Sequence, residues 1–131
     1  MFAAGILGAV LSALVAWTPP LTYETEHFRF HYVEEARGDA VALARRAEAI
    51  RQRVVGDLGV APTETTVVKV VARWEEFQRA QPGGRRFPRW VAGVAYPRKN
   101  LIILGPAPPG GRPLAREVLF AHEYSHIALS H

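Results

Sequence analysis

The chain has 131 residues, no cysteine and a formal net charge of +4. This length suffices for one domain, and a composition of 49% hydrophobic and 21% charged residues indicates a globular protein and excludes a disordered one. The absence of cysteine excludes disulfides and thiolate metal sites, and the arginines are scattered along the chain, so no nucleic-acid partner is predicted.

The chain begins with an apolar segment. Residues 1–17 carry no charged side chain, and two prolines follow closely. This pattern predicts a cleaved secretory signal peptide or an uncleaved membrane anchor over residues 1–20, with a buried helix as the remaining alternative. The best cleavage point follows Ala16, although no Lys or Arg precedes the apolar run. Either of the first two alternatives places the domain, residues 21–131, outside the cytoplasm as a secreted, periplasmic or membrane-attached protein.

The first predicted strand covers Tyr23–Val33, where apolar and polar residues alternate. The alternation places three aromatic side chains on one face: Phe28, Phe30 and Tyr32. His27 and His31 lie on the other face, and we interpret them as part of a polar sheet surface rather than as ligands.

A helix follows the first strand. Gly38 and Asp39 can cap it, apolar residues recur at helical spacing, and it is predicted to run to about Gly56. Its arginines are interpreted as a solvated helix surface. A Val-rich strand, Thr66–Ala72, and a short helix, Arg73–Ala80, come next.

A loop and a hairpin precede the last helix. The loop, residues 81–89, contains three arginines that could grip a phosphate or a stacked base, but a solvated surface loop is the interpretation we favour. Val91–Tyr96 and Leu101–Leu104 are short apolar runs separated by four residues, a pattern that predicts a β-hairpin.

The most informative stretch is a HExxH motif, in which His122 and His126 stand four residues apart and Glu123 follows the first histidine. Residues 114–129 contain no helix breaker, so a helix is predicted there. Four helical residues bring the second imidazole about 40° round and about 6 Å along from the first, so both can share one ion. Zinc suits this pair, because imidazole nitrogen is a good ligand in its tetrahedral set.

Glu123 lies about 100° round the helix from His122 and therefore flanks the ion. A carboxylate there can take a proton from a zinc-bound water, which is the mechanism that this motif indicates. The alternative is a pair of core histidines hydrogen-bonded to backbone or carboxylate groups. Apolar residues surround the motif on nearly every side, so the helix is predicted to be buried.

The order of elements and the motif together resemble the N-terminal lobe of the gluzincin metallopeptidases, and most of all the bacterial peptidase MA-like family. The resemblance covers residues 22–131. It implies an α+β, zincin-like lobe, in which a small mixed sheet carries a packed helix and the HExxH helix lies at the C-terminal end. It also implies Zn²⁺ as cofactor, His122 and His126 as its ligands and Glu123 as the catalytic base.

The same resemblance implies how substrate binds. In such enzymes the strand before the active helix forms the sheet edge along which an extended peptide lies. The residues expected to bind substrate are therefore Val91, Gly93, Val94 and Ala95.

A third zinc ligand is not evident. Leu129 stands where a metzincin has glycine, and a gluzincin takes its third ligand, a glutamate, from a later helix. We therefore expect a downstream part of the same polypeptide to supply this ligand, and the chain to be truncated at its C-terminal side. His131 lies nine residues after His122, about 180° round a continuous helix, so it points away from the ion unless the helix breaks. Glu117 also lies on the opposite side.

The predicted function is therefore a zinc-dependent metallopeptidase that acts on peptides or proteins, incomplete in these residues because the third ligand is absent. The alternative is a non-catalytic extracytoplasmic binding module with the zincin fold. The expected partners are a peptide or protein substrate and, if residues 1–17 are an uncleaved anchor, a membrane.

Overall fold

The computed structural model describes residues 16–106 and 113–131, and its centre is a five-stranded mixed sheet with the order β1-β2-β3-β5-β4. The strands are β1 (Leu21–Glu24), β2 (Phe28–Tyr32), β3 (Thr66–Val70), β4 (Gly93–Tyr96) and β5 (Leu101–Leu104). The three central strands, β2, β3 and β5, are parallel, and each edge strand is antiparallel to its neighbour. The expectation of a small α+β protein with a mixed sheet is confirmed.

Helices cover both faces of the sheet. They are α1 (Arg37–Leu58), α2 (Trp74–Arg79) and α3 (Pro113–Leu129). On one face, α1 and α3 pack against β2 and β5 around an aromatic core in which Phe28 contacts Phe120 and Tyr124 edge-on, with ring centroids 5.3 and 5.2 Å apart. On the other face, α2 places the buried Phe77 against Val71 and Ile103. None of the helices in the described residues is long and apolar enough to cross a membrane.

The prediction of one strand over Tyr23–Val33 is wrong, because the chain turns between β1 and β2. The backbone N–H of Thr25 donates to the Phe28 carbonyl at 2.9 Å and closes the turn. The carboxylate of Glu48, on α1, binds the Thr25 hydroxyl and the His27 backbone N–H. The alternation of β2 is as predicted, with its aromatic residues buried.

The bounds of the other elements differ slightly from prediction. Helix α1 begins at Arg37 without a side-chain cap and ends at Leu58, and Gly59, with a φ of 72°, is its left-handed C-cap. The predicted end, Gly56, therefore lies inside the helix. The hairpin is confirmed, but β4 begins at Gly93, which leaves Val91 in the preceding turn.

The prediction that α3 is buried all round is also wrong. Its core face carries the buried Phe120 and Ile127, whereas Val118 and Leu129 are 62% and 64% exposed. The helical geometry explains this difference in exposure, because Val118 and Leu129 lie on the same side of the helix as His122, and that side faces away from the sheet. The apolar residues of α3 therefore form two faces: one is covered by the sheet, and no described residue covers the other.

The fold extends slightly upstream of the predicted domain start. The backbone N–H of Trp17 donates to the Arg79 carbonyl at 3.1 Å, and the Arg79 guanidinium lies 4.7 Å from the Trp17 ring centroid. The buried Lys69 donates to the Trp17 carbonyl at 3.1 Å. Most of the predicted signal or anchor, residues 1–15, lies outside the described residues; the cleavage point predicted after Ala16 stands next to the anchored Trp17.

Candidate metal centre

His122 and His126 lie side by side on the solvent face of α3. Their Nε2 atoms are 3.3 Å apart, and the two rings stand at 88° to each other. Two imidazole nitrogens bound to one tetrahedral zinc ion at about 2.0–2.1 Å lie about 3.3–3.4 Å apart. The pair therefore has the separation that a shared zinc ion requires. A hydrogen bond between one protonated and one unprotonated Nε2 has the same separation.

Glu123 differs from the two histidines in being buried, with 8% of its surface exposed. It follows Leu119 by one helical turn, so it lies on the same side of α3 as Leu119, the side that meets β4. Burial raises the pKa of the Glu123 carboxyl, and the nearby His122 and His126 oppose that rise. A carboxyl group in this setting can both accept and hold a proton.

A third ligand for the pair is absent from the described residues, since no His, Asp or Glu there forms a three-membered ligand group with it. The imidazole of His131 contacts the Asn100 side-chain oxygen at 2.9 Å, at the turn before β5. The carboxylate of Glu117 accepts from Arg46 at 3.2 Å. Neither His131 nor Glu117 is therefore free to act as the third ligand, since each has another partner.

A different group of three potential ligands was missed in the sequence. The side chains of Glu26, His27 and Glu48 bring their ligand atoms within 4.8 Å of one another. The Nδ1 atom of His27 lies 2.6 Å from Glu48, whose other oxygen already binds Thr25 and the His27 backbone. This arrangement joins the β1–β2 turn to α1. No local signal could have found it, because Glu48 is 21 residues from His27.

Two close backbone approaches hold α3 beside the hairpin. Gly105 donates to the Ala92 carbonyl at 2.8 Å, and its own carbonyl accepts from Arg116 of α3 at 2.8 Å. A Cβ on Gly105 would lie 3.1 Å from the Phe77 ring and 3.3 Å from the Ala92 oxygen. A Cβ on Gly93 would lie 3.1 Å from Leu104 and at an ordinary contact distance, 3.4 Å, from Leu119 of α3. A side chain at either glycine would therefore require its neighbours to shift by a few tenths of an ångström.

Strand β4 lies at one edge of the sheet, as the substrate prediction requires. Ala92 and Gly105 form a hydrogen-bonded pair, and such pairs alternate along an antiparallel ladder. Val94 therefore directs its N–H and C=O towards Ile103. The next positions in the alternation, Gly93 and Ala95, direct theirs towards the open edge.

The four residues predicted to bind substrate thus separate into three groups. Gly93 and Ala95 have outward backbone groups and lie on the face of the sheet that packs on α3. Val94 bonds inward, and its side chain packs on the opposite face. Val91 lies outside the strand and packs into the same opposite-face cluster. These differences in backbone direction follow from the register of β4 against β5.

Comparisons with protein-family models, with curated proteins and with solved structures found no match. The gluzincin resemblance therefore depends on the motif and the order of elements. It stays a prediction, as do zinc and the roles of His122, His126 and Glu123.

Proposed function

We propose that the protein is a zinc-dependent metallopeptidase of gluzincin type. The observation that carries this proposal is the 3.3 Å separation of the His122 and His126 Nε2 atoms, next to the buried carboxyl of Glu123. A spacing suited to one tetrahedral ion and an adjacent base are the two parts that hydrolysis of this class needs.

Each residue then has a defined task. His122 and His126 would hold zinc, which would supply Lewis-acid polarisation of the scissile carbonyl and activation of water. The Glu123 carboxylate accepts the proton of the attacking water and returns it to the leaving amine, and its buried position favours holding that proton meanwhile. The outward backbone groups of Gly93 and Ala95 align an extended peptide with the edge of the sheet.

The proposal takes the third zinc ligand from beyond the described residues. A non-catalytic binding module with the same fold is the second candidate, since the described residues supply two of the three protein ligands that catalytic zinc normally takes. Both candidates are proposed to be extracytoplasmic, on the support of the apolar residues 1–17. Cell fractionation of a tagged copy, with sequencing of the mature N-terminus, tests this location; cytoplasmic recovery with residues 1–17 intact contradicts it.

Zinc titration and peptide hydrolysis test the function. In the protein expressed from its complete coding sequence, Glu123→Gln should retain zinc and lose hydrolysis by at least about a hundredfold, because an amide cannot accept the proton. His122→Ala and His126→Ala should lose both zinc and hydrolysis. The matched control is His27→Ala, which removes an imidazole from the other potential ligand group and should leave both unchanged.

Two results would contradict the assignment. Full hydrolysis by Glu123→Gln would show that Glu123 is not the general base. Loss of zinc from His27→Ala, with zinc retained by His122→Ala, would show that the metal binds to the group of Glu26, His27 and Glu48.

A further inference from the structure

The arginines are scattered along the chain, but the acidic residues are not, so the net charge of +4 hides a strongly basic segment. Residues 77–116 contain eight of the 16 basic side chains and none of the 12 acidic ones, so this stretch has a formal charge of +8 and the rest of the chain −4. Among the described residues it covers the end of α2, the loop before β4, the β4–β5 hairpin and the first residues of α3. Five of the eight basic side chains lie in the loop before β4 and in the turn between β4 and β5, next to the open edge of the sheet.

Five of these basic side chains are exposed and form what we call the basic rim: Arg85, Arg86, Arg89, Arg98 and Lys99. None of them forms an ion pair with a described residue, and residues 1–15 and 107–112 carry no side-chain carboxylate. By contrast, Arg37 and Arg73, elsewhere in the fold, each bind a glutamate at 2.7 Å. The rim thus carries positive charge that no carboxylate of the described residues pairs with.

The basic rim brackets β4. Arg89 stands four residues before Gly93, in a turn closed by the bond from Val91 N–H to the Pro88 carbonyl at 3.1 Å. Arg98 lies just beyond the other end of the strand, and Arg85 lies 5.7 Å from the ring centroid of Tyr96, the last strand residue. Trp90, beside Arg89, is 83% exposed and provides an aromatic contact of the kind enriched at binding sites.

We propose that the segment which pairs with β4 is an acidic, extended peptide. This inference rests on the proposed function and names its substrate class. The outward backbone groups of Gly93 and Ala95 supply strand pairing, which an extended polypeptide uses and which a bilayer or a nucleic acid does not. The basic rim supplies the charge complementarity that selects among peptides.

The opposite edge of the sheet behaves differently. Strand β1 ends at Glu24, which is already bonded to Arg29 at 2.9 Å, and the exposed Glu26 follows it. The unpaired positive charge is therefore found at the β4 edge and not at the β1 edge. Charged residues that only prevented pairing with another copy of the chain would be expected at both edges.

Fluorescence anisotropy of the 131-residue chain tests the inference without any need for turnover. The probes are a short dye-labelled peptide of alternating Glu and Thr and its counterpart with Gln at each Glu. The acidic peptide should bind about tenfold more tightly at low salt, and the difference should narrow as salt is raised.

Charge-removing variants locate the binding surface. Arg89→Gln combined with Arg98→Gln should weaken binding of the acidic peptide about fivefold, since exposed charge pairs contribute modestly each. The matched control combines Arg45→Gln with Arg53→Gln, which removes two exposed arginines from α1 and should change binding less than about twofold.

Three results would contradict the inference. The first two are equal binding of the two peptides and equal loss of binding in the two double variants. The third is binding to phosphatidylserine vesicles or to a single-stranded oligonucleotide that depends on Arg89 and Arg98, without binding of the acidic peptide. Glu123-dependent hydrolysis is measured separately, in the protein expressed from its complete coding sequence. Hydrolysis without a preference for acidic peptides would contradict this inference alone, whereas the absence of Glu123-dependent hydrolysis would contradict the proposed function.

Discussion

Glu48 shows how one side chain fixes a turn that local sequence leaves undefined. Its carboxylate accepts hydrogen bonds from the Thr25 hydroxyl and from the His27 backbone N–H at 2.8 Å, and it lies 2.6 Å from the His27 Nδ1. Burial by itself raises the pKa of Glu48, but the bonds from Thr25 and His27 outweigh burial and lower it below 4.5. The ionised carboxylate is therefore the form that stabilises the fold.

Replacing Glu48 by Gln tests this effect. Because the folded-state pKa is lowered, the stabilisation is present above the unfolded-state pKa and is lost as pH falls through the folded-state value. At neutral pH, Glu48→Gln should reduce the free energy of unfolding by about 1–2 kcal/mol. Urea unfolding should show this difference shrinking below pH 4.5. A difference that persists unchanged in acid would contradict the ionic origin; Glu26→Gln, on an exposed carboxylate, is the control.

The junction between β5, β4 and α3 depends on the absence of a side chain at Gly105. Its N–H and C=O join Ala92 to Arg116, and the Phe77 ring closes the remaining space. Gly105→Ala should lower the free energy of unfolding by about 1–3 kcal/mol, because neither the buried ring nor the Ala92 backbone can move freely.

Gly56→Ala is the matched substitution for Gly105→Ala. Gly56 lies within α1, and a Cβ there meets nothing within 4 Å. The same change should therefore stabilise the protein by about 0.5–1 kcal/mol through helix propensity. Thermal or urea unfolding of both variants measures the contrast, and equal effects would show that the close contacts at Gly105 relax at no cost.

The open edge of β4 allows a matched pair of proline substitutions. Ala95→Pro removes an outward N–H, a place where edge strands tolerate proline, so it should fold and bind the acidic peptide at least about fivefold more weakly. Val94→Pro removes an N–H that bonds Ile103, so it should destabilise the sheet by about 1–3 kcal/mol. Circular dichroism and anisotropy distinguish the two effects. Unchanged peptide binding by folded Ala95→Pro would place the peptide elsewhere.

Over the whole molecule, the exposed side of α3 combines the histidine pair with uncovered apolar side chains. Val118 and Leu129 flank the pair and are more than half exposed. Such a surface tends to associate in water. The 131-residue chain should therefore self-associate. It should also bind zinc weakly, because catalytic zinc normally takes three protein ligands and the histidine pair supplies two.

A double substitution, Val118→Ser with Leu129→Ser, tests the association. Light scattering should show less self-association, while the free energy of unfolding changes by no more than about 0.5 kcal/mol, since neither side chain is in the core. Unaltered scattering would mean that a different surface, such as the β4 edge, drives association.

The sequence by itself determined α3, the shared face of His122 and His126, the β4–β5 hairpin and the buried side of β2. These features follow from local periodicity: four residues of helix bring two side chains together whatever surrounds them, and alternation fixes the two faces of a strand. The spacing of the histidine pair was therefore predictable from the sequence before the fold was known.

Only the tertiary structure decided the turn at Thr25–His27, the exposed histidine face and the separate backbone directions of Val94 and Ala95. Each depends on a partner distant in sequence: Glu48 for the turn, the packing of the sheet against one side of α3, and the register of β5 against β4. Spacing within one element cannot specify such contacts, because they arise from how separate elements meet.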